Sequence, residues 1–197
     1  MTADALDHHD HHHETNVKVV MGFWVFILSD FVLFAVLFAS YAVLHNNTYG
    51  GIGIQQIVTL PYVLVESLLI LSCSFTYGLS AICSQGNRKA LVWFWLCITF
   101  LLGLAFVCME YHQLAYLVEH GHSWQQSAFL SIFFRLVGIH GMHVVIALVW
   151  TVILLIQFLY KPLNEMRTRL SCLGLFWHFL NIIWVFIFTV VYLMGVI

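Results

Sequence analysis

Apolar residues fill five long runs of this chain, at about 19–45, 59–83, 90–115, 128–159 and 171–196, and polar residues gather between them. A bilayer core needs roughly 20 apolar residues of helix, so every run is long enough to cross. None shows the apolar–polar alternation of a half-buried strand. In lipid each backbone N–H and C=O must find a partner, and a helix satisfies them within itself. The pattern predicts an all-α polytopic membrane protein, a five-helix transmembrane bundle over residues 18–197. Joins fall at 46–58, 84–89, 116–127 and 160–170, with Gly50-Gly51, Pro61, Gly86-Asn87 and Pro162 as punctuation.

Residues 1–17 stand apart from that pattern. Asp4, Asp7, Asp10, Glu14 and histidines 8, 9, 11, 12 and 13 leave almost no apolar content, which predicts a disordered tail. The histidines could hold a metal loosely. No cysteine or ordered scaffold fixes a coordination geometry, so a solvated tail is the plainer reading. No cleavable signal peptide is visible. The start is polar and the following apolar run is too long for a signal core, so the first helix is expected to remain as an anchor.

Composition narrows the class. The chain is 62% hydrophobic and 8% charged, against roughly 25% charged in soluble domains. A net charge of −2 gives no footprint for nucleic acid. Five cysteines (Cys73, Cys83, Cys97, Cys108, Cys172) are scattered without a CxxC spacing and read as small buried residues.

Basic residues set the orientation. Lys18, Arg88, Lys89, Lys161, Arg167 and Arg169, six of the seven, fall on one side of a five-span chain. Basic loops stay in the cytoplasm. The N-terminus is therefore expected to be cytoplasmic and the C-terminus periplasmic.

The candidate chemistry lies inside the spans, where polar residues are functional candidates by default. The densest stretch is Gly138-Ile139-His140-Gly141-Met142-His143. Its histidines share one helix face, and its glycines allow close approach by a helix or lipid. His178 and Asn181 lie in the inner half of the fifth span. A b-type haem between His178 and His140 or His143 is one reading; hydrogen bonds between helices are the plainer one. Asp30 is too deep to reach water and is expected to face the bundle, protonated or hydrogen-bonded, as a brace between helices or as a proton-handling group. Glu66 and Glu110 lie in the outer halves of their spans. Arg135 is expected at the height of Glu110, either paired with Glu110 or Glu66 or snorkelling to the interface.

Landmarks through the chain carry a resemblance. They are Gly22-Phe23-Trp24 with Ser29-Asp30, Tyr41-Ala42-Val43-Leu44, Leu60-Pro61 with Val65-Glu66, and Met109-Glu110. They continue through Gly138-Ile139-His140-Gly141-Met142-His143-Val144, Leu175-Phe176-Trp177-His178-Phe179-Leu180 with Trp184, and Val190-Val191-Tyr192-Leu193-Met194-Gly195. The chain resembles subunit III of the haem–copper respiratory oxidases. It is most similar to the five-helix form found in bo-type ubiquinol oxidases, whose His-rich acidic tail it shares. It lacks the two extra leading helices of the cytochrome c oxidase form.

The resemblance implies a non-catalytic subunit in a bacterial inner (plasma) membrane complex that oxidises ubiquinol, reduces oxygen and pumps protons. Haem and copper would sit in the catalytic subunit I, with no cofactor or metal in this chain. Bound phospholipid and support of assembly are implied as its part. Asp30 matches an acidic position, Glu in many members, near the partner's proton-uptake region. Asn181 stands where the family usually has Asp, and Arg135 is outside the pattern. A cytochrome c or menaquinol oxidase subunit III remains an alternative, as do, from other classes, a di-haem membrane anchor and a metal transporter.

Overall fold

The computed structural model describes residues 3–45, 60–120 and 127–193, without the side chains of residues 3–17, 60 and 164. All regular structure among them is helical. Helix α1 spans Ala3–Leu44, α2 Leu60–Gln85, α3 Lys89–Glu119, α4 Ala128–Tyr160 and α5 Leu163–Ile187; α5 then passes into a π-helical turn, Phe188–Leu193. Five stretches are long and apolar enough to cross a bilayer: Lys18–Leu44, Pro61–Gln85, Lys89–Glu119, Ala128–Tyr160 and Glu165–Leu193. Each overlaps a run read from the sequence. The 46–58 join and Met194-Gly195 lie outside the described residues.

Three boundaries differ from expectation. The helical backbone of α1 starts at Ala3, inside the tail expected to be disordered. No glycine or proline precedes Gly22 to break it. At about 1.5 Å per residue, its 42 residues reach about twice the bilayer core. The α4–α5 join shrinks from 160–170 to Lys161 and Pro162. Lys161 is extended, as a residue before proline tends to be, and Pro162 starts α5 with no N–H to satisfy. Polar residues 164–169, read as a loop, are the first turns of α5. The end of the last span is a π turn rather than an α-helix. Val191 and Tyr192, neighbours within that turn, are both fully buried.

Local chemistry sets the other ends. Ser127 caps α4, its hydroxyl accepting from the Leu130 N–H at 3.1 Å. Asn87, at φ 55°, closes the α2–α3 turn in the left-handed region that asparagine tolerates. The Gly86 and Arg88 N–H groups return to Ile82 and Cys83 carbonyls.

Helix α5 is the centre of the bundle. It touches α1, α2 and α4, while α3 lies against α2 and α4. Its Phe176, Trp177 and Trp184 are among the largest buried side chains. Half of its span is buried, against 11% for α1, which leans on α4 and α5 from outside. The helices close at small residues: a Cβ at Gly103 would meet Leu148 at 2.8 Å and Trp177 at 3.0 Å. All five cysteines are free; Cys73 and Cys172 are buried as expected, but Cys108 is exposed on the outer surface of α3.

Candidate functional site

Four polar centres sit among the spans. The first joins α1 to α4. Asp30 is buried, and its Oδ2 lies 3.7 Å from His143 Nε2. His143 Nδ1 is 2.7 Å from the Ile139 carbonyl. A carbonyl can only accept, so Nδ1 carries the hydrogen, and Nε2 is left to face the carboxyl. The contact is longer than a direct hydrogen bond, and Asp30 Oδ2 has no hydrogen-bond partner among the described residues. Phe34 covers the pair, with its ring 5.5 Å from that of His143.

His140 forms the second centre. It is fully buried, and its Nε2 donates to the Leu180 carbonyl across the α4–α5 contact at 3.2 Å. Trp184 and Phe106 flank the imidazole at 5.1 and 6.0 Å. Trp184 Nε1 in turn donates to Ser67 on α2 at 3.0 Å. The third centre, His178, faces away from both other histidines. It hydrogen-bonds Ser74 at 2.8 Å, in a groove between α2 and α5 that Ser84, Gln85 and Arg167 also line.

Glu66 and Glu110 make the fourth centre. Both are buried, and each lies within the other's electrostatic reach and that of Tyr192. Glu110 lies on Gly141, where a Cβ would meet its Oε2 at 2.6 Å. Gly138, three residues earlier, has nothing within 4 Å.

Arg135 does not join this centre. It is exposed, and among the described residues no carboxylate lies within 4 Å of it. Of the two alternatives, pairing with Glu110 or Glu66 is not seen, and an outward side chain is: Arg135 shares the exposed side of α4 with Met142 and Val149, seven and fourteen residues on. Asn181 is half-buried, with its Oδ1 lacking a partner among the described residues. Sequence reasoning missed Tyr192 as a polar group and Ser67 and Ser74 as partners. Tyr192 offered one signal, a hydroxyl inside an apolar run.

The three span histidines are each engaged separately, and among the described residues no three His, Cys, Asp or Glu side chains gather as metal ligands would. A haem held between His178 and either α4 histidine does not fit this arrangement, since His178 lies in the α2–α5 groove.

The family model for cytochrome c oxidase subunit III matches residues 1–196. The chain belongs to the cytochrome c oxidase subunit III family. Among its relatives is the cytochrome bo(3) ubiquinol oxidase subunit 3 of Pseudomonas aeruginosa, 47% identical over 95% of this chain and 90% of the relative. The protein of the same name in Pseudomonas putida is 44% identical over 93% and 89%. A probable quinol oxidase subunit 3 of Staphylococcus aureus is 37% identical over 98% and 96%. Family membership fits the centres above: buried polar side chains that tie α1, α4, α5 and α2 to one another.

Proposed function

We propose that this chain is the non-catalytic subunit III of a ubiquinol oxidase complex in the bacterial inner membrane. It packs beside a catalytic subunit I that holds the haems and copper, and steadies that subunit through assembly and turnover. The observation that carries the reading is near full-length similarity, at 47 and 44% identity, to two proteins named as ubiquinol oxidase subunit 3. The thinly covered α1, with Trp24, Phe31 and Val32 exposed, supports a face for a partner helix or lipid. In this reading the N-terminus is cytoplasmic, since the basic residues lie on that side. The tail ahead of Lys18 then forms a short cytoplasmic extension. Phospholipid sits in the two grooves beside α5, one lined by Phe31, Phe38 and Phe186, the other carrying Arg167. Asp30 and His143 brace α1 against α4, while Glu66, Glu110, His140, His178 and Asn181 hold the remaining helix contacts.

The test is purification of the tagged chain from its native membrane, followed by assay of the eluate with ubiquinol, menaquinol and reduced cytochrome c. Oxygen consumption driven by ubiquinol supports the reading. An eluate active only with cytochrome c or menaquinol contradicts the donor, and one with no haem-bearing partner contradicts the class.

A further inference from the structure

We propose that Glu66, Glu110 and Tyr192 enclose a buried water site in which the two carboxyls share one proton. The three residues come from α2, α3 and the π turn after α5, and α4 closes the site with Gly141. Glu66 and Tyr192 are fully buried and Glu110 is 3% exposed. The other ionisable groups that act on them are Tyr62, near Glu66, and Tyr41, near Tyr192. Among the described residues no basic side chain lies within 4 Å of either carboxyl. Arg135, the one lysine or arginine within the apolar runs, is exposed.

Two buried carboxylates within each other's electrostatic reach and without a cation cannot both stay ionised in a low-dielectric core. One shared proton removes the repulsion but leaves oxygen lone pairs in need of donors. The described residues do not provide them. Both Glu66 oxygens and Glu110 Oε1 lack a hydrogen-bond partner among the described residues. The Tyr192 hydroxyl has the Gln113 side chain next to it but no hydrogen bond of good geometry among the described residues. One orphan donor and several orphan acceptors on three elements are what a water with two to four partners satisfies. The π turn after α5 carries Tyr192 at the site, fully buried beside Val191.

This inference does not depend on the electron donor or on the partner. The test uses the full chain in whatever complex it occupies in its native membrane. A cryo-EM map fine enough to show ordered water should place density within hydrogen-bond reach of Glu66 and Tyr192. Infrared spectra should show a protonated-carboxyl band that shifts in D2O, is lost in E66Q, and moves in Tyr192→Phe. No density at the site, or a peak with the short contacts of a cation, would overturn the proposal. So would a carboxyl band unchanged in both E66Q and E110Q. If E110Q fails to assemble, the wild-type map and E66Q still decide.

Discussion

Gly141 and Gly138 lie three residues apart in α4, so alanine at either position changes helix propensity equally. Their surroundings differ. At Gly138 a Cβ meets nothing within 4 Å, whereas at Gly141 it meets Glu110 Oε2 at 2.6 Å, Cδ at 2.9 Å and Oε1 at 3.0 Å. Glu110 would have to move its carboxyl, and it is buried with little room to do so. Overpacking of this kind costs about 1–3 kcal/mol. Removing a mid-helix glycine recovers roughly 0.5–1 kcal/mol in either variant, and that gain cancels between the two. Gly141→Ala should therefore be about 1–3 kcal/mol less stable than Gly138→Ala. Denaturant unfolding of the purified protein in one detergent, followed by tryptophan fluorescence, measures the difference. Glu110→Ala should couple strongly to Gly141→Ala and weakly to Gly138→Ala in a double-mutant cycle. Equal stability of the two glycine variants would refute the packing of Glu110 on α4.

Other outcomes follow from the remaining centres. Asp30→Asn keeps size and hydrogen-bonding capacity and should leave oxygen reduction nearly normal, whereas Asp30→Leu should weaken retention of this subunit; a several-fold slower rate for Asp30→Asn in a fully assembled complex would point to proton handling instead. Arg135→Leu should change unfolding stability by less than about 0.5 kcal/mol, since the side chain is exposed without a carboxylate partner; a loss of several kcal/mol would reveal a buried pairing. A cysteine at Ile52 should react with an impermeant maleimide from the periplasm, and one at Arg88 only from the cytoplasm; the reverse pattern would invert the topology.

Much of the fold can be read from hydropathy, because each span must cover a bilayer with apolar side chains. Hydropathy reports contact with lipid, not the state of the backbone, and this explains the misplaced start of α5. Glu165, Arg167 and Arg169 lower the hydropathy at the start of α5, yet they are helical. The site was legible only in part. The histidine pair of α4 stood out, and Asp30 was expected to face inward, as it does toward His143. For Arg135 the sequence left pairing and snorkelling open, because α4 is apolar on all faces and offers no polar stripe to orient it; the side chain is exposed. The meeting of Glu66 with Glu110 joins residues from different helices, so no local spacing announces it. Tyr192 lies in a π turn, which the apolar run Val190-Val191-Tyr192-Leu193 does not signal.

The central claim is that this subunit steadies an oxidase without holding a redox centre, and its histidines test it most directly. His140 donates to a carbonyl, His143 faces Asp30 and His178 bonds Ser74. Each should be replaced in turn by Asn, and the haem spectrum recorded per mole of intact complex, with the subunits counted by mass spectrometry. The account predicts that less complex is recovered while the haem content of each complex stays unchanged. An intact complex lacking one haem per copy in any of the three variants would contradict it.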